Sequence, residues 1–121
     1  MKYLKFVVGC LMFLSVLPTH AKQISVNEVK AIQENAQSGA FVGRAEWNAL
    51  TYYLQGVIEG AVGYQESLGK VGKRLLFCPP KGKGHSIEEL LKILNQSSRA
   101  DKNRPASLVI LEAYTLKYPC K

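Results

Sequence analysis

The sequence is poor in the residue types that usually carry catalysis and metal binding. Its 121 residues include 3 cysteines, 2 histidines and 1 tryptophan. Cys10 and His20 fall in the first 21 residues, so the remainder holds one histidine, His85, and two cysteines, Cys78 and Cys120. One histidine and one cysteine pair supply too few soft ligands for a metal site, and the acidic residues do not cluster. We therefore expect no metal and no cofactor.

Catalytic motifs are missing as well. Cys78 and His85 could act as a nucleophile and its base only if Cys78 carried a free thiolate, and Cys120 is available as a disulfide partner. The glycines around Lys83 lack the lysine and hydroxyl spacing of a phosphate-binding loop. The sequence therefore predicts a protein that is not an enzyme.

A membrane-spanning run is absent from the N-terminal segment. Its apolar stretch, residues 6–17, is about a dozen residues long, whereas a permanent span needs roughly 20. A short basic start, this stretch and the small or turn-forming residues 18–21 are typical of a secretory signal peptide. Cys10 lies inside the apolar stretch rather than after it, which disfavours lipidation. We expect residues 1–21 to be cleaved after Ala21, giving a periplasmic product without a stable membrane span.

Residues 22–121 are enough for a single domain with a modest core and too few for two. Of the 16 Lys and Arg residues, two lie in the signal segment, which leaves 14 against 9 acids and a formal charge of +5. Such a surplus favours an anionic partner or surface. Nucleic acid is disfavoured by export and by the lack of a face that combines aromatic and basic side chains.

Cys78 and Cys120 are expected to form one disulfide, because an exported chain meets oxidising conditions. Closing a loop of about 43 residues would stabilise the fold by roughly 4 kcal/mol on the chain-entropy model.

Hydrophobic periodicity predicts an all-α fold: a small domain of four helices or slightly more, ending in a disulfide-stapled helical hairpin. Ser25 with Glu28, and Ser86 with Glu89, have the spacing of a capping box at a helix start. Residues 108–111 alone could be a buried strand, but the length of the surrounding pattern favours a helix. The predicted helices cover about residues 25–38, 43–68, 86–94 and 105–117.

The second predicted helix carries three glycines on one face. Gly56, Gly60 and Gly63 recur with helical spacing, opposite an apolar stripe that begins at Trp47. Each glycine costs about 1 kcal/mol relative to alanine inside a helix. We expect close approach of another backbone to offset this cost, which would make the helix central and packed on both sides.

A run of positive charge follows the second helix. Residues 70–83 contain five basic residues and no acid. Such a run is commonly a solvated face, but it could also be a protrusion that a rigid frame presents to a partner. Residues 81–85 are expected to form a mobile cationic loop. The candidate partner-binding residues are Lys73, Arg74, Lys81, Lys83 and His85.

Several segments together resemble a known family. They are Tyr53-x-x-Gly56-x-x-x-Gly60, Leu76-Phe77-Cys78-Pro79-Pro80, residues 86–94, Pro105-Ala106 and the terminal Tyr118-Pro119-Cys120. This arrangement resembles the immunity proteins of type VI secretion amidases, of the Rap/Tai type. The resemblance covers about residues 47–120, and its most specific parts are the Phe-Cys-Pro and Tyr-Pro-Cys segments.

The resemblance implies a small helical protein of the bacterial periplasm, often dimeric, that binds an injected peptidoglycan amidase and blocks its active-site cleft. Such an amidase would be an NlpC/P60-like cysteine peptidase. Members often have a second cysteine pair that involves the first helix, which this chain lacks. We therefore expect an amidase inhibitor, with a homodimer as a further expectation.

The alternative function is a small periplasmic chaperone or acid-stress binding protein, a class that is also helical and single-disulfide. A chaperone would bind many unfolded clients and respond to acid, whereas an immunity protein would bind one folded enzyme tightly.

Overall fold

The computed structural model describes residues 22–39 and 41–121. These residues form four α-helices and one short 3-10 helix, and no strand occurs among them, so the all-α prediction is confirmed. Residues 1–21, which the sequence predicts to be a signal peptide, and the expected cleavage after Ala21 lie outside the described residues. The elements are α1 (Val26–Gln37), α2 (Phe41–Lys70), α3 (Ile87–Gln96), the 3-10 helix (Arg99–Asp101) and α4 (Ala106–Lys117).

The start of α1 follows the capping box that the sequence predicts. The Ser25 hydroxyl accepts a hydrogen bond from the Glu28 backbone N–H at 3.3 Å, and the Glu28 carboxylate accepts one from the Ser25 backbone N–H at 2.8 Å. These bonds satisfy donors that a helix start leaves free. The pKa of Glu28 falls to about 2, chiefly because Lys22 donates to its carboxylate and the Ser25 N–H donates to it as well.

The start of α3 follows only half of the predicted capping box. The Ser86 hydroxyl accepts from the Glu89 backbone N–H at 3.2 Å. The Glu89 carboxylate does not return to Ser86, because it accepts hydrogen bonds from Lys83 in the loop before α3 and from Lys117 and Tyr118 at the end of α4. The reciprocal half of the prediction is therefore wrong.

One core is shared by all four helices and by the segment before α3. Phe77, Leu54 and Tyr114 are among its largest fully buried side chains. Trp47 and Tyr53 are partly buried and pack against it. The core residues are Val26, Val29, Leu50, Leu54, Ile58, Phe77, Leu90, Leu91, Leu94, Ala106, Val109, Ile110 and Tyr114.

Backbone hydrogen bonds join the start of α1 to the residues around the start of α4. The N–H of Val26 donates to the Arg104 carbonyl at 3.1 Å, and the N–H of Ala106 donates to the Ile24 carbonyl at 2.9 Å. The start of α1 is thereby fixed beside the start of α4. The apolar residues 108–111 lie within α4, so the helix interpretation of that stretch is confirmed.

The long helix α2 is not packed on both sides, and that prediction is wrong. Its buried stripe includes Leu50, Leu54 and Ile58. Gly56, Gly60 and Gly63 lie on the opposite, exposed face, and a Cβ added at any of them would meet no atom within 4 Å. The other three helices pack on the apolar stripe, so within the described chain no backbone covers the glycine face.

Close backbone approach occurs instead at Gly43, near the start of α2. A Cβ there would lie 2.5 Å from the Asn35 carbonyl oxygen of α1. Gly43 is buried, and it is the absence of its side chain that lets the two helices come together at this point.

Two alanine substitutions in α2 should therefore have opposite effects. Gly60→Ala is expected to raise the free energy of unfolding by about 0.5–1 kcal/mol, because it removes backbone freedom from the unfolded chain without a clash. Gly43→Ala is expected to lower it by about 1–3 kcal/mol, because the added methyl group meets backbone. Urea unfolding followed by circular dichroism measures both free energies. A Gly60→Ala variant less stable than the unmodified protein would contradict the finding that the glycine face of α2 is exposed.

Within residues 22–39 and 41–121, no helix combines the length and apolar character that a bilayer span requires.

Candidate functional site

The disulfide joins the segment before α3 to the end of the chain, as predicted. The Cys78 and Cys120 sulfurs are bonded at 2.02 Å, with the Cα atoms 4.9 Å apart. The Cys78 backbone N–H also donates to the Tyr118 carbonyl at 2.7 Å. The Phe-Cys-Pro and Tyr-Pro-Cys segments are therefore one structural unit, and the Cys78 sulfur is bonded rather than poised beside His85.

A buried glutamine holds this unit against α2. The Gln65 side-chain oxygen accepts hydrogen bonds from the backbone N–H groups of Leu76 and Phe77, at 2.8 and 2.7 Å. Gln65 is itself buried. The segment therefore enters the core with the N–H groups of Leu76 and Phe77 satisfied, and it carries Phe77 into contact with Tyr114 at a centroid distance of 5.5 Å.

His85 belongs to the same aromatic cluster. Its ring centroid lies 5.3 Å from that of Tyr114, and its Nδ1 is 3.1 Å from the Tyr114 hydroxyl oxygen. Burial raises the pKa of the Tyr114 hydroxyl well above its ordinary value, with the Glu89 charge adding to the effect. The prediction that His85 is a polar loop residue is correct only in part, because its ring packs against the core.

Four side chains form a polar group beside the disulfide, here called the C-terminal brace: Lys83, Glu89, Lys117 and Tyr118. Glu89 accepts from Lys117 at 2.6 Å, from the Tyr118 hydroxyl at 3.1 Å and from Lys83 at 3.3 Å. Lys83 also contacts the Tyr118 hydroxyl and lies 4.5 Å from the centre of its ring. The brace links the loop before α3, the start of α3 and the end of α4.

The brace sets the charge states of its members. Burial alone would raise the pKa of Glu89, but hydrogen bonds from Lys117, Tyr118 and Lys83 outweigh it and lower that pKa to about 2. The contact with the Tyr118 hydroxyl, reinforced by Glu89, raises the pKa of Lys83. Both ion pairs therefore stay charged over the whole neutral range.

Stability should fall in acid as Glu89 becomes protonated. A carboxylate whose pKa is lowered on folding contributes its full stabilisation above its ordinary pKa, near 4.5, and loses it as the pH falls to about 2. The free energy of unfolding should thus be flat from pH 7 to 5 and decline between pH 4.5 and 2. Glu89→Gln should make that decline shallower, whereas Glu88→Gln, at an exposed neighbouring position, should not. A decline centred above pH 5 would contradict this assignment.

The 80–83 turn carries the exposed part of the cationic loop. The Lys83 N–H donates to the Pro80 carbonyl at 3.1 Å, and Gly82 has φ +75°, as the third position of a type II β-turn requires. Lys81 occupies the exposed second position. The disulfide precedes this turn, and its last residue, Lys83, belongs to the brace, so the turn is fastened on both sides. The mobility expected of residues 81–85 stays a prediction.

The five candidate partner-binding residues divide into two groups. Lys83 and His85 make internal contacts, as described above. Lys73, Arg74 and Lys81 are exposed, and none of them forms an ion pair within the described part of the chain. A partner-binding role for any of the five stays a prediction.

A shallow cleft of about 430 Å³ lies against Cys120 of the disulfide. Its lining contains no acidic side chain and consists of Arg74, Leu75, Leu76, Thr115, Pro119 and Cys120. Elsewhere in the described residues, no three His, Cys, Asp or Glu side chains are grouped so that they could hold a metal ion.

Sequence reasoning did not find the roles of Gln65 and Glu89. Gln65 follows Ile58 by seven residues on the buried stripe of α2, and this register could have identified it. Lys117 and Tyr118 lie 28 and 29 residues from Glu89, and no local pattern links them to it.

No family model, curated protein or solved structure matches this chain.

Proposed function

We propose that this chain is a periplasmic immunity protein that binds and inhibits a type VI secretion peptidoglycan amidase, and thereby protects the cell that makes it. The observation that carries the proposal is the unit formed by the two most family-specific segments. The Cys78–Cys120 bond and the hydrogen bond from Cys78 to Tyr118 join them. Joined in this way, the two segments hold the 80–83 turn in place. A turn that is held rigidly is a suitable contact surface for an inhibitor.

The 80–83 turn is the part of this unit best placed to contact an enzyme. Lys81 projects from a turn whose two ends are held by the disulfide and by the brace. A preorganised contact loses little conformational entropy when it binds, so it favours tight association with a folded partner. Lys81 is exposed and forms no ion pair within residues 22–39 and 41–121, so its charge is available to complement negative charge on the enzyme.

Inhibition of peptidoglycan hydrolysis tests the proposal. The processed, oxidised protein is titrated against NlpC/P60-like amidases, including any cysteine hydrolase encoded beside this chain, with purified peptidoglycan as the substrate. Stoichiometric inhibition of one amidase is expected. Lys81→Glu should weaken that inhibition by about tenfold or more, and Lys102→Glu, an exposed lysine beside the 3-10 helix, should not.

Failure to inhibit any amidase, by a protein with native circular dichroism, would contradict the proposal. Capture of many unfolded clients, increasing after an acid pulse, would instead favour the chaperone alternative.

A further inference from the structure

The segment that follows α2 exposes aliphatic side chains between positive charges. Val71 is 69% exposed and Leu76 is 50% exposed. Lys70, Lys73 and Arg74 are also exposed, and none of the three forms an ion pair in the described residues. Here the set Lys70, Val71, Lys73, Arg74 and Leu76 is called the cationic edge.

The cationic edge is held in place by backbone hydrogen bonds. The Lys73 N–H donates to the Leu68 carbonyl at 2.9 Å, and the Gly72 N–H donates to the Gly69 carbonyl at 3.1 Å. At the other end of the edge, the Leu76 N–H donates a hydrogen bond to the side-chain oxygen of the buried Gln65. Val71 and Leu76 are therefore exposed by an ordered backbone, and the apolar cleft of about 430 Å³ beside Arg74 and Leu76 continues the same surface.

This combination of groups fits an anionic lipid surface. Residues 67–87 contain no acidic residue, so nothing in this part of the chain opposes negatively charged headgroups. Lys and Arg side chains close to an anionic leaflet are attracted to its headgroups, and aliphatic side chains that enter the acyl boundary add hydrophobic stabilisation. The edge offers three cations and two aliphatic side chains, but no aromatic anchor of the kind that dominates protein interfaces.

We propose that the cationic edge binds the surface of anionic phospholipid bilayers, with Lys70, Lys73 and Arg74 at the headgroups and Val71 and Leu76 at the acyl boundary. This contact does not depend on inhibition of an amidase. It gives Lys73 and Arg74 a different role from the partner-binding one expected from the sequence, and it leaves the 80–83 turn for a protein partner.

Vesicle co-sedimentation of the processed, oxidised protein tests the proposal. Vesicles of 30% phosphatidylglycerol in phosphatidylcholine are compared with pure phosphatidylcholine vesicles, at 0.1 M and 0.5 M salt. Binding to the anionic vesicles should be at least about tenfold tighter than to the neutral ones, and it should weaken at the higher salt. Equal binding to both compositions, or no binding to either, would overturn the proposal.

Two double variants and a control separate the contribution of the positive charges from that of the aliphatic side chains. Lys73→Glu with Arg74→Glu should abolish sedimentation with anionic vesicles. Val71→Ser with Leu76→Ser should weaken it by about tenfold while the salt dependence remains. Leu108→Ser, at an exposed leucine of α4, should change nothing. If Leu108→Ser had the same effect as the Val71 and Leu76 pair, the attraction would be unspecific and the proposal wrong.

Amidase inhibition gives a second readout on the same variants. A Lys73→Glu and Arg74→Glu variant that still binds anionic vesicles but no longer inhibits an amidase would assign the edge to a protein partner and refute the lipid contact.

Discussion

Removal of the Cys78–Cys120 disulfide is expected to lower the free energy of unfolding by roughly 4 kcal/mol. The bond joins residues 42 positions apart, so its loss frees a long loop in the unfolded chain. Because a domain of this size has only about 5–15 kcal/mol of net stability, the loss would be a large share of the total. The Cys78→Ser/Cys120→Ser double variant tests this without leaving a free thiol, with urea unfolding as the measurement.

Reduction of the unmodified protein provides the matched control. It should bring the urea midpoint to that of the double variant, while addition of reductant to the double variant itself should have no effect. A double variant as stable as the oxidised protein would mean that the backbone hydrogen bond from Cys78 to Tyr118 and the surrounding core hold the corner without the covalent link.

Phe77→Ala is expected to lower the free energy of unfolding by about 3–5 kcal/mol, because it empties a fully buried aromatic site. Phe77 contacts Tyr114 edge to face, and Tyr114 in turn contacts His85 and Tyr118. The cavity would therefore open where the segment before α3 meets α4. Surrounding side chains cannot close it easily, because Gln65 and the disulfide hold the backbone on either side.

Leu76→Ala is the matched control for this substitution. Leu76 is the preceding residue and is half exposed, so its truncation should cost less than about 1 kcal/mol. Equal losses for the two variants would show that Phe77 is not the side chain that anchors the segment.

Local signals were sufficient to predict the helices and the disulfide. Ser25 and Ser86 mark helix starts because their hydroxyls satisfy free backbone donors one turn later. The pairing of Cys78 with Cys120 was predicted from the expectation of export and from the presence of only two cysteines after residue 21. Such features depend on a few neighbouring residues or on simple stoichiometry, so they can be predicted without knowledge of the tertiary packing.

Features that depend on tertiary placement were not predictable in the same way. The sequence shows that Glu89 has capping-box spacing, but Lys117 and Tyr118 offer it stronger partners once α4 packs beside α3. The glycines of α2 indicated a close contact, but helical spacing does not reveal which glycine makes it. Gly43 meets α1, whereas Gly60 faces solvent.

The acid response is expected to differ between the two functions considered for this protein. Glu28 and Glu89 both have pKa values near 2, since each accepts several hydrogen bonds in the folded state. These lowered pKa values predict that both carboxylates keep their interactions through mildly acidic conditions. An acid-activated chaperone would be expected to lose structure at a higher pH.

Intact mass measurement of the protein purified from the periplasm without reductant tests the central claim most directly. The account predicts a chain of residues 22–121 with no thiol that reacts with iodoacetamide, and a non-reduced digest in which the peptides of Cys78 and Cys120 are linked. A chain that keeps residues 1–21, or one in which both cysteines are alkylated before reduction, would contradict an exported helical domain closed by a single disulfide.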